Sequence, residues 1–279
     1  MKRFKSYVKY VILPFALCTG VASAAPEAQA PVRVFAAGSL TGAMTAVAKL
    51  YSQQTGQQIE TVFGPAGLLL KRIENGEPAD IFASANMEHP QKLADDGFAT
   101  QPIILVRNRL CATALPEFKL TTENFLDRLL DPHVGLGTST PKADPGGDYA
   151  WMMFAKAEKV RPGAQATLEK KAQQLVGGTN NPPVPKGQNA VKYFFAQKKV
   201  DIFLGYCSSH QATPDPEFAS VELPAAVAVA ADYGLSVVTR EPKSHDAAYR
   251  FALFLLSPQA QKIISEYRFT PVTMPSPNK

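Results

Sequence analysis

The stretch VRVFAAGSLTGAMTAVAKLYSQQTG, residues 32–56, decides the fold. Val32, Val34 and Phe35 with the small residues behind them give a buried strand, and Leu40, Met44, Val47 and Tyr51 recur at the three- and four-residue spacing of a helix facing a core. Ser39 sits at the junction. A serine there caps the helix, and the free amides of the first turn, at the positive end of the helix dipole, face whatever lies beyond the strand's carboxyl end. Such a place suits a small oxyanion. Read alone, Ser39 is an N-cap and nothing more; the oxyanion reading gains weight because the chain repeats the arrangement.

Outward from this unit, IETVFG, residues 59–64, is a second strand, and Pro65-Ala66-Gly67 opens the helix LLLKRIEN, which Gly76 ends as a glycine C-cap does. ADIFASA, residues 79–85, is a third strand. Strands alternating with helices of this length predict an α/β fold with a doubly wound sheet and a ligand site beyond the strands' carboxyl ends. The three ends, Gly38-Ser39, Gly64 to Gly67 and Ala83-Ser84-Ala85, are all small. Small residues let a ligand approach backbone amides, and they suit tight turns equally well.

IILVRNRLCATAL, residues 103–115, is too long for one ordinary strand and carries Arg107, Asn108 and Arg109 in its middle, so two strands joined by a crossing segment are expected. TTENFLDRLLD follows as a helix with Thr122 as its cap, then the strand VGLGT, residues 134–138. In TPKADPGGDYAWMMFAKAE a second glycine-rich turn leads into a helix with Trp151 and Phe154 on its apolar face. TNNPPVPKG, residues 179–187, is loop; GQNAVKYFFAQKKV is an amphipathic helix; DIFLGYCSS, residues 201–209, is a buried strand ending in a polar turn. ELPAAVAVAADYGLSVV reads as extended chain crossing back, and HDAAYRFALFLLSPQAQKIISEYRF as two helices broken at Ser257-Pro258. The chain runs from one lobe to a second and returns to the first.

Composition fixes the compartment. Of 279 residues, 46% are hydrophobic and 19% charged, enough for one large or two modest globular domains. Lys2, Arg3, Lys5 and Lys9 form a basic start, Tyr10 to Leu17 is apolar, and Ala22-Ser23-Ala24 supplies a cleavage site, so residues 1–24 read as a signal peptide for export to the periplasm. Leu17 stands before Cys18 where a lipoprotein signal has a small residue, which favours a soluble product. Losing the four cations takes the formal net charge from +5 to +1, which removes support for nucleic-acid or membrane-surface binding. No CxxC occurs, and His89, His133, His210 and His245 are scattered without ligand spacing, so no cation-binding metal site and no cofactor are expected. The sequence has no GxSxG, HExxH or P-loop; Asp144, Asp148 and His210 would have to meet from independent loops to catalyse anything, and the chain is read as a non-enzyme.

VFAAGSLTGAM, FGPAG, LLLKRIENGEPADIFASAN, LGYCSS and SPQAQKIISEYRFTPV together resemble the periplasmic molybdate-binding proteins of ABC importers. The likeness covers nearly the whole mature chain. It implies a two-lobed type II periplasmic binding fold, each lobe a mixed, mostly parallel sheet flanked by helices, with residues 31–108 and 225–279 in lobe I and residues 109–224 in lobe II. It implies hinges near residues 107–112 and 222–228, a molybdate or tungstate ligand held by hydrogen bonds, a membrane permease as partner and a monomer. By the same likeness Ser39 and Tyr206 supply hydroxyls, Asn189 and Ala190 lie at a further main-chain donor, and Ala66 stands where the family usually has another serine. In ADPGGDYAW, longer than the family's counterpart and carrying Asp144 and Asp148, Gly147 is the expected amide donor. The likeness also sets RLCATAL antiparallel beside DIFLGY, which would bring Cys111 and Cys207 together as a disulfide. From the residues alone, another oxyanion, a small carboxylate or a chelated metal remains open as ligand, as does an oxyanion-binding colonisation factor without import.

Overall fold

The computed structural model describes Met1 and residues 30–209, 216–241 and 245–273; residues 2–24 of the expected signal peptide, and His210, lie outside them. The described chain forms β1 (Val32–Ala37), α1 (Thr41–Thr55), β2 (Ile59–Gly64), α2 (Ala66–Glu74), β3 (Ile81–Ser84), α3 (Glu88–Asp95) and β4 (Ile103–Ala114). Then come α4 (Phe125–Leu130), β5 (Leu136–Ser139), α5 (Pro145–Val160), α6 (Ala164–Lys171), β6 (Gln173–Val176), α7 (Ala190–Ala196) and β7 (Ile202–Tyr206). The chain closes with β8 (Ala219–Glu222), β9 (Ala230–Val237), α8 (Asp246–Leu255) and α9 (Pro258–Glu266). These strands make one mixed sheet in the order β2-β1-β3-β9-β4-β7-β5-β6, with β8 also on β4, and helices cover it. No helix among the described residues is long and apolar enough to cross a membrane.

The local rules explain most elements. α1 buries Ala43, Met44, Val47, Ala48 and Tyr51, one face at helical spacing, and ends where Gly56 takes a φ of 76° that a side chain would strain. Ser257 caps α9 through Ala260 N–H, with Pro258 in the first turn where its missing donor costs nothing. α3, α6 and β6 have no counterpart in the sequence reading; α6 buries only Ala164 and Leu168 in an otherwise polar run, too weak a period to see.

Residues 103–114 are one twelve-residue strand, not two. Its partners change midway: Ile103 to Arg109 pair with β9, Leu110 to Ala114 pair with β7 on one edge, and Cys111 to Ala114 pair with β8 on the other. A strand can hold the polar triplet because successive side chains face opposite ways. Arg107 and Arg109 point outward to Asp232 and Glu222, while Asn108 points inward and is 5% exposed. The crossing between the two halves of the sheet is thus the strand itself.

The Cys111 and Cys207 sulfurs are bonded, with Cα atoms 4.9 Å apart and a separation of 96 positions in sequence. In the ladder Cys111 faces Gly205; Cys207 lies just beyond β7, in the single turn Cys207–Ser209. Unfolded without reductant, the mature chain should show no reactive thiol. Reduction should then cost about 2–4 kcal/mol, because the bridge closes a long loop in the unfolded ensemble. Two thiols titrating before reduction would show the bridge absent.

Candidate functional site

The carboxyl ends of β1, β2 and β3 and the start of α2 meet the starts of α5 and α7 and the end of β7 around a cleft of about 480 Å³. Ser39, Ala66, Asn189, Ala190 and Tyr206 line it. Gly147 does not. Its N–H donates to Asp144 O at 2.9 Å, and a Cβ on it would lie 2.7 Å from Ser139 O, so it is packed against the β5–α5 turn. Gly146 lines the cleft instead, as do Asp144, Ser139 and Ser208. No Lys, Arg or His stands among the described residues of the lining, and no group of three His, Cys, Asp or Glu among the described residues could hold a metal ion.

Ser39 does not cap α1. It sits inside a short 3-10 turn, Gly38–Leu40, that precedes the helix, and its Oγ is 2.9 Å from the Tyr233 hydroxyl on β9. The turn spaces β1 from α1, which leaves Leu40 at the cap position with no side-chain bond. Thr122 likewise is no cap: its hydroxyl donates to Glu222 O, and Asn124 precedes α4. The Tyr233 oxygen also accepts from Asn108 Nδ2 at 3.1 Å, and that same nitrogen donates to Ser208 Oγ at 2.8 Å.

Tyr206 is 7% exposed, and its hydroxyl has no hydrogen-bond partner among the described residues. The Tyr233 hydroxyl is nearby but already engaged by Ser39 and Asn108, and the two rings meet edge to face at 5.6 Å. Burial pushes the pKa of both phenols up, so both keep their protons. Leaving such a group unpaired costs about 1–3 kcal/mol, a cost that a ligand acceptor in the cleft would offset.

Asp144 caps α5, its Oδ1 accepting Gly146 N–H at 2.9 Å, so two amides of that helix start, those of Gly146 and Gly147, are taken within the chain. Asp144 is part-buried in the cleft wall. Burial raises its pKa to about 6 against the opposing pull of the Gly146 amide and the Ser139 hydroxyl, and Asp148 repels it further. Asp148 itself accepts Lys142 N–H at 2.9 Å and does not line the cleft.

Two contacts tie the cleft walls together. Tyr149 Oη donates to Ala85 O at 3.1 Å, and Gly67 N–H donates to Ala143 O at 3.1 Å. The second takes one of the α2 amides that the sequence offers to a ligand. Gly67 permits it by lacking a side chain: a Cβ would sit 2.9 Å from Ala143 O and nearer still to Lys142 O, both backbone atoms. Gly67→Val should therefore hold the walls apart, raising the radius of gyration in small-angle scattering and costing about 1–3 kcal/mol of stability. An unchanged scattering profile would show that the contact does not hold the walls together.

Sequence reading missed Tyr267, Tyr233, Asn108 and the Ser208 hydroxyl. Tyr267 lines the cleft because its ring fills the space a Cβ on Gly42 would need. Only the glycine in SLTGAM hints at this, and glycine has other uses.

The chain matches the model of the bacterial extracellular solute-binding protein family over residues 32–270. It belongs to that family. This solute-binding protein is 40% identical over 212 residues to the Pasteurella multocida protein PM1146, covering 75% of this chain and 88% of the relative. It is 27% identical over 275 residues to the molybdate-binding protein ModA of Escherichia coli, covering 91% and 95%. Among solved structures, the sulfate-binding protein SubI of Mycobacterium tuberculosis superposes with a TM-score of 0.73 at 18% identity, covering 88% of each chain. The α/β fold with helices flanking a mixed sheet is that of the solute-binding proteins.

Proposed function

We propose that this solute-binding protein captures a small oxyanion in the periplasm, molybdate or tungstate first, and delivers it as a monomer to the permease of an ABC importer. The observation that carries the reading is the buried Tyr206 hydroxyl, without a partner among the described residues, in a cleft whose described lining offers hydroxyl and amide donors beside Asp144 and no cation. Hydrogen bonding without a counter-ion lets charge and size be sensed together, since each oxygen must find its donors. Ser39 and Tyr206 supply hydroxyls, and Ala66 opens α2 with a backbone N–H that no backbone acceptor takes among the described residues. The likeness to a molybdate-binding relative along most of both chains supports the choice of ligand. Residues 1–24 are the export signal; residues 31–108 with 225–279 and residues 109–224 are the two lobes, closing about β4 near residues 107–112 and the segment near 222–228.

Two features favour a second ligand class, an oxyanion carried on a larger organic solute such as a phosphate ester. The cleft of about 480 Å³ has room beyond a five-atom ion, and the Asp144 carboxyl faces it as an acceptor. A thermal-shift screen of the mature protein against molybdate, tungstate, sulfate, phosphate, a phosphate monoester, small organic acids and divalent cations separates these. A ligand at 100 times its dissociation constant stabilises by about 2.7 kcal/mol. Molybdate and tungstate should raise the midpoint; a shift with the monoester or organic acids alone would sink the inorganic reading, and a shift with cations alone would sink both.

A further inference from the structure

Beneath the cleft, the polar side chains form a chain whose direction is fixed at one end. Asn108 Oδ1 accepts Arg109 N–H at 2.9 Å, so the amide has one orientation and Nδ2 faces Ser208 and Tyr233. An amide nitrogen only donates. Ser208 Oγ and the Tyr233 oxygen are therefore acceptors, each taking one Asn108 hydrogen. The Tyr233 hydrogen is left for Ser39 Oγ, 2.9 Å away. A phenol is a stronger acid than an alkyl hydroxyl, and donation onto its oxygen polarises it further, so the order Asn108 to Tyr233 to Ser39 is the favoured one. Each serine then keeps its own hydrogen, for which no acceptor is found among the described residues. Both serines line the cleft; Asn108 and Tyr233 do not.

We propose that Asn108 is a positioning residue that presets Ser39 and Ser208 as hydrogen-bond donors, so that the floor of the cleft selects groups that accept, oxyanions above all. The proposal rests on the oxyanion reading and deepens it, because it assigns specificity to a residue that never meets the ligand. Were the 108 side chain an acceptor, the Ser208 hydrogen would turn toward it, Tyr233 would donate downward, and Ser39 would be drawn to donate to Tyr233. Both donors would leave the cleft. The placement on β4, the strand that crosses between the halves of the sheet, ties this polarity to the segment about which the lobes would move.

The test is calorimetry with molybdate and with sulfate at pH 8 on the mature protein. Asn108→Ala should weaken binding about tenfold in the parent, but by less than about threefold when Ser39 and Ser208 are already alanine, because the residue acts through them. A residue that only supports the fold would lose the same factor in both backgrounds, and that result, or no loss in the parent, overturns the proposal. If Asn108→Ala does not fold, Tyr233→Phe breaks the Ser39 arm alone: its loss should vanish in the Ser39→Ala background, and an undiminished loss overturns the relay. Asn108→Asp, nearly isosteric but accepting where Asn108 donates, should bind both anions more weakly than Asn108→Ala. Binding as tight as the parent's would refute the polarity argument. A folded parent that binds neither anion removes the oxyanion reading and the relay with it, whereas a parent that binds with additive losses removes the relay alone.

Discussion

Tyr206→Phe is expected to stabilise the ligand-free protein while weakening oxyanion binding. The hydroxyl is buried and has no partner among the described residues, so removing it relieves a desolvation cost of about 1 kcal/mol or more. In the complex the same hydroxyl donates to a charged acceptor, and its loss should cost about 1.5–3 kcal/mol, roughly ten- to a hundredfold in affinity. Ser39→Ala gives the contrasting pattern. It should weaken binding by a similar amount, yet also lower stability by about 1 kcal/mol, because the Tyr233 hydrogen loses its acceptor. No cap energy is involved, since Ser39 caps nothing. Scanning calorimetry and titration calorimetry with molybdate check both variants; if Tyr206→Phe lowers the midpoint as much as Ser39→Ala does, the hydroxyl is held by protein and the site has been misread.

Asp144→Asn should remove a fall in the protein's stability that the parent shows as pH rises toward 6. The folded-state pKa of about 6 lies above the ordinary carboxyl value, so the native state holds a proton that the unfolded state has released over the interval between them. Stability from this group is therefore full below the unfolded pKa and is lost as pH rises to about 6, a change of about 2–3 kcal/mol. Asparagine keeps the cap to Gly146 N–H and carries no charge, so the variant should be the more stable protein above pH 6 and lack this slope. Binding follows the same sign. A dianion in the cleft is repelled by the ionised carboxyl, so parent affinity for sulfate should rise as pH falls through 6, and Asp144→Asn should bind sulfate about tenfold or more tightly at pH 8. Equal affinities at pH 8 would mean that the carboxyl turns away from the ligand. A loss in the variant would mean that the ligand group facing Asp144 is a donor, as in a protonated oxyanion.

The elements whose cause is local were legible in the residues alone. The apolar runs in residues 32–37 and 59–64, the apolar face of α1, Gly56 and Gly76 after their helices, and the Ser257-Pro258 start of α9 are each fixed by neighbours a few residues away. From these the alternating α/β order follows, and with it the expectation of a cleft beyond the strand ends; the cleft there is lined by Ser39 and Ala66. What a serine or tyrosine touches is another matter. Ser39 reads as a cap because capping is the local use of serine before a helix; only the return of β9 beside β3 and β4 brings Tyr233, 194 residues away, against its hydroxyl. Asn108 in RNR reads as a break in a strand, because its inward face becomes polar only when Ser208 and Tyr233 arrive from 100 and 125 residues further along. Gly147 and Gly146 are indistinguishable in DPGGD, and the packing of one against the Ser139–Pro141 turn decides which faces the cleft. Spacing along the chain sets which way a side chain points on its own element, while hydrogen-bond direction and the burial of the Tyr206 hydroxyl depend on distant partners that only the closed sheet brings together.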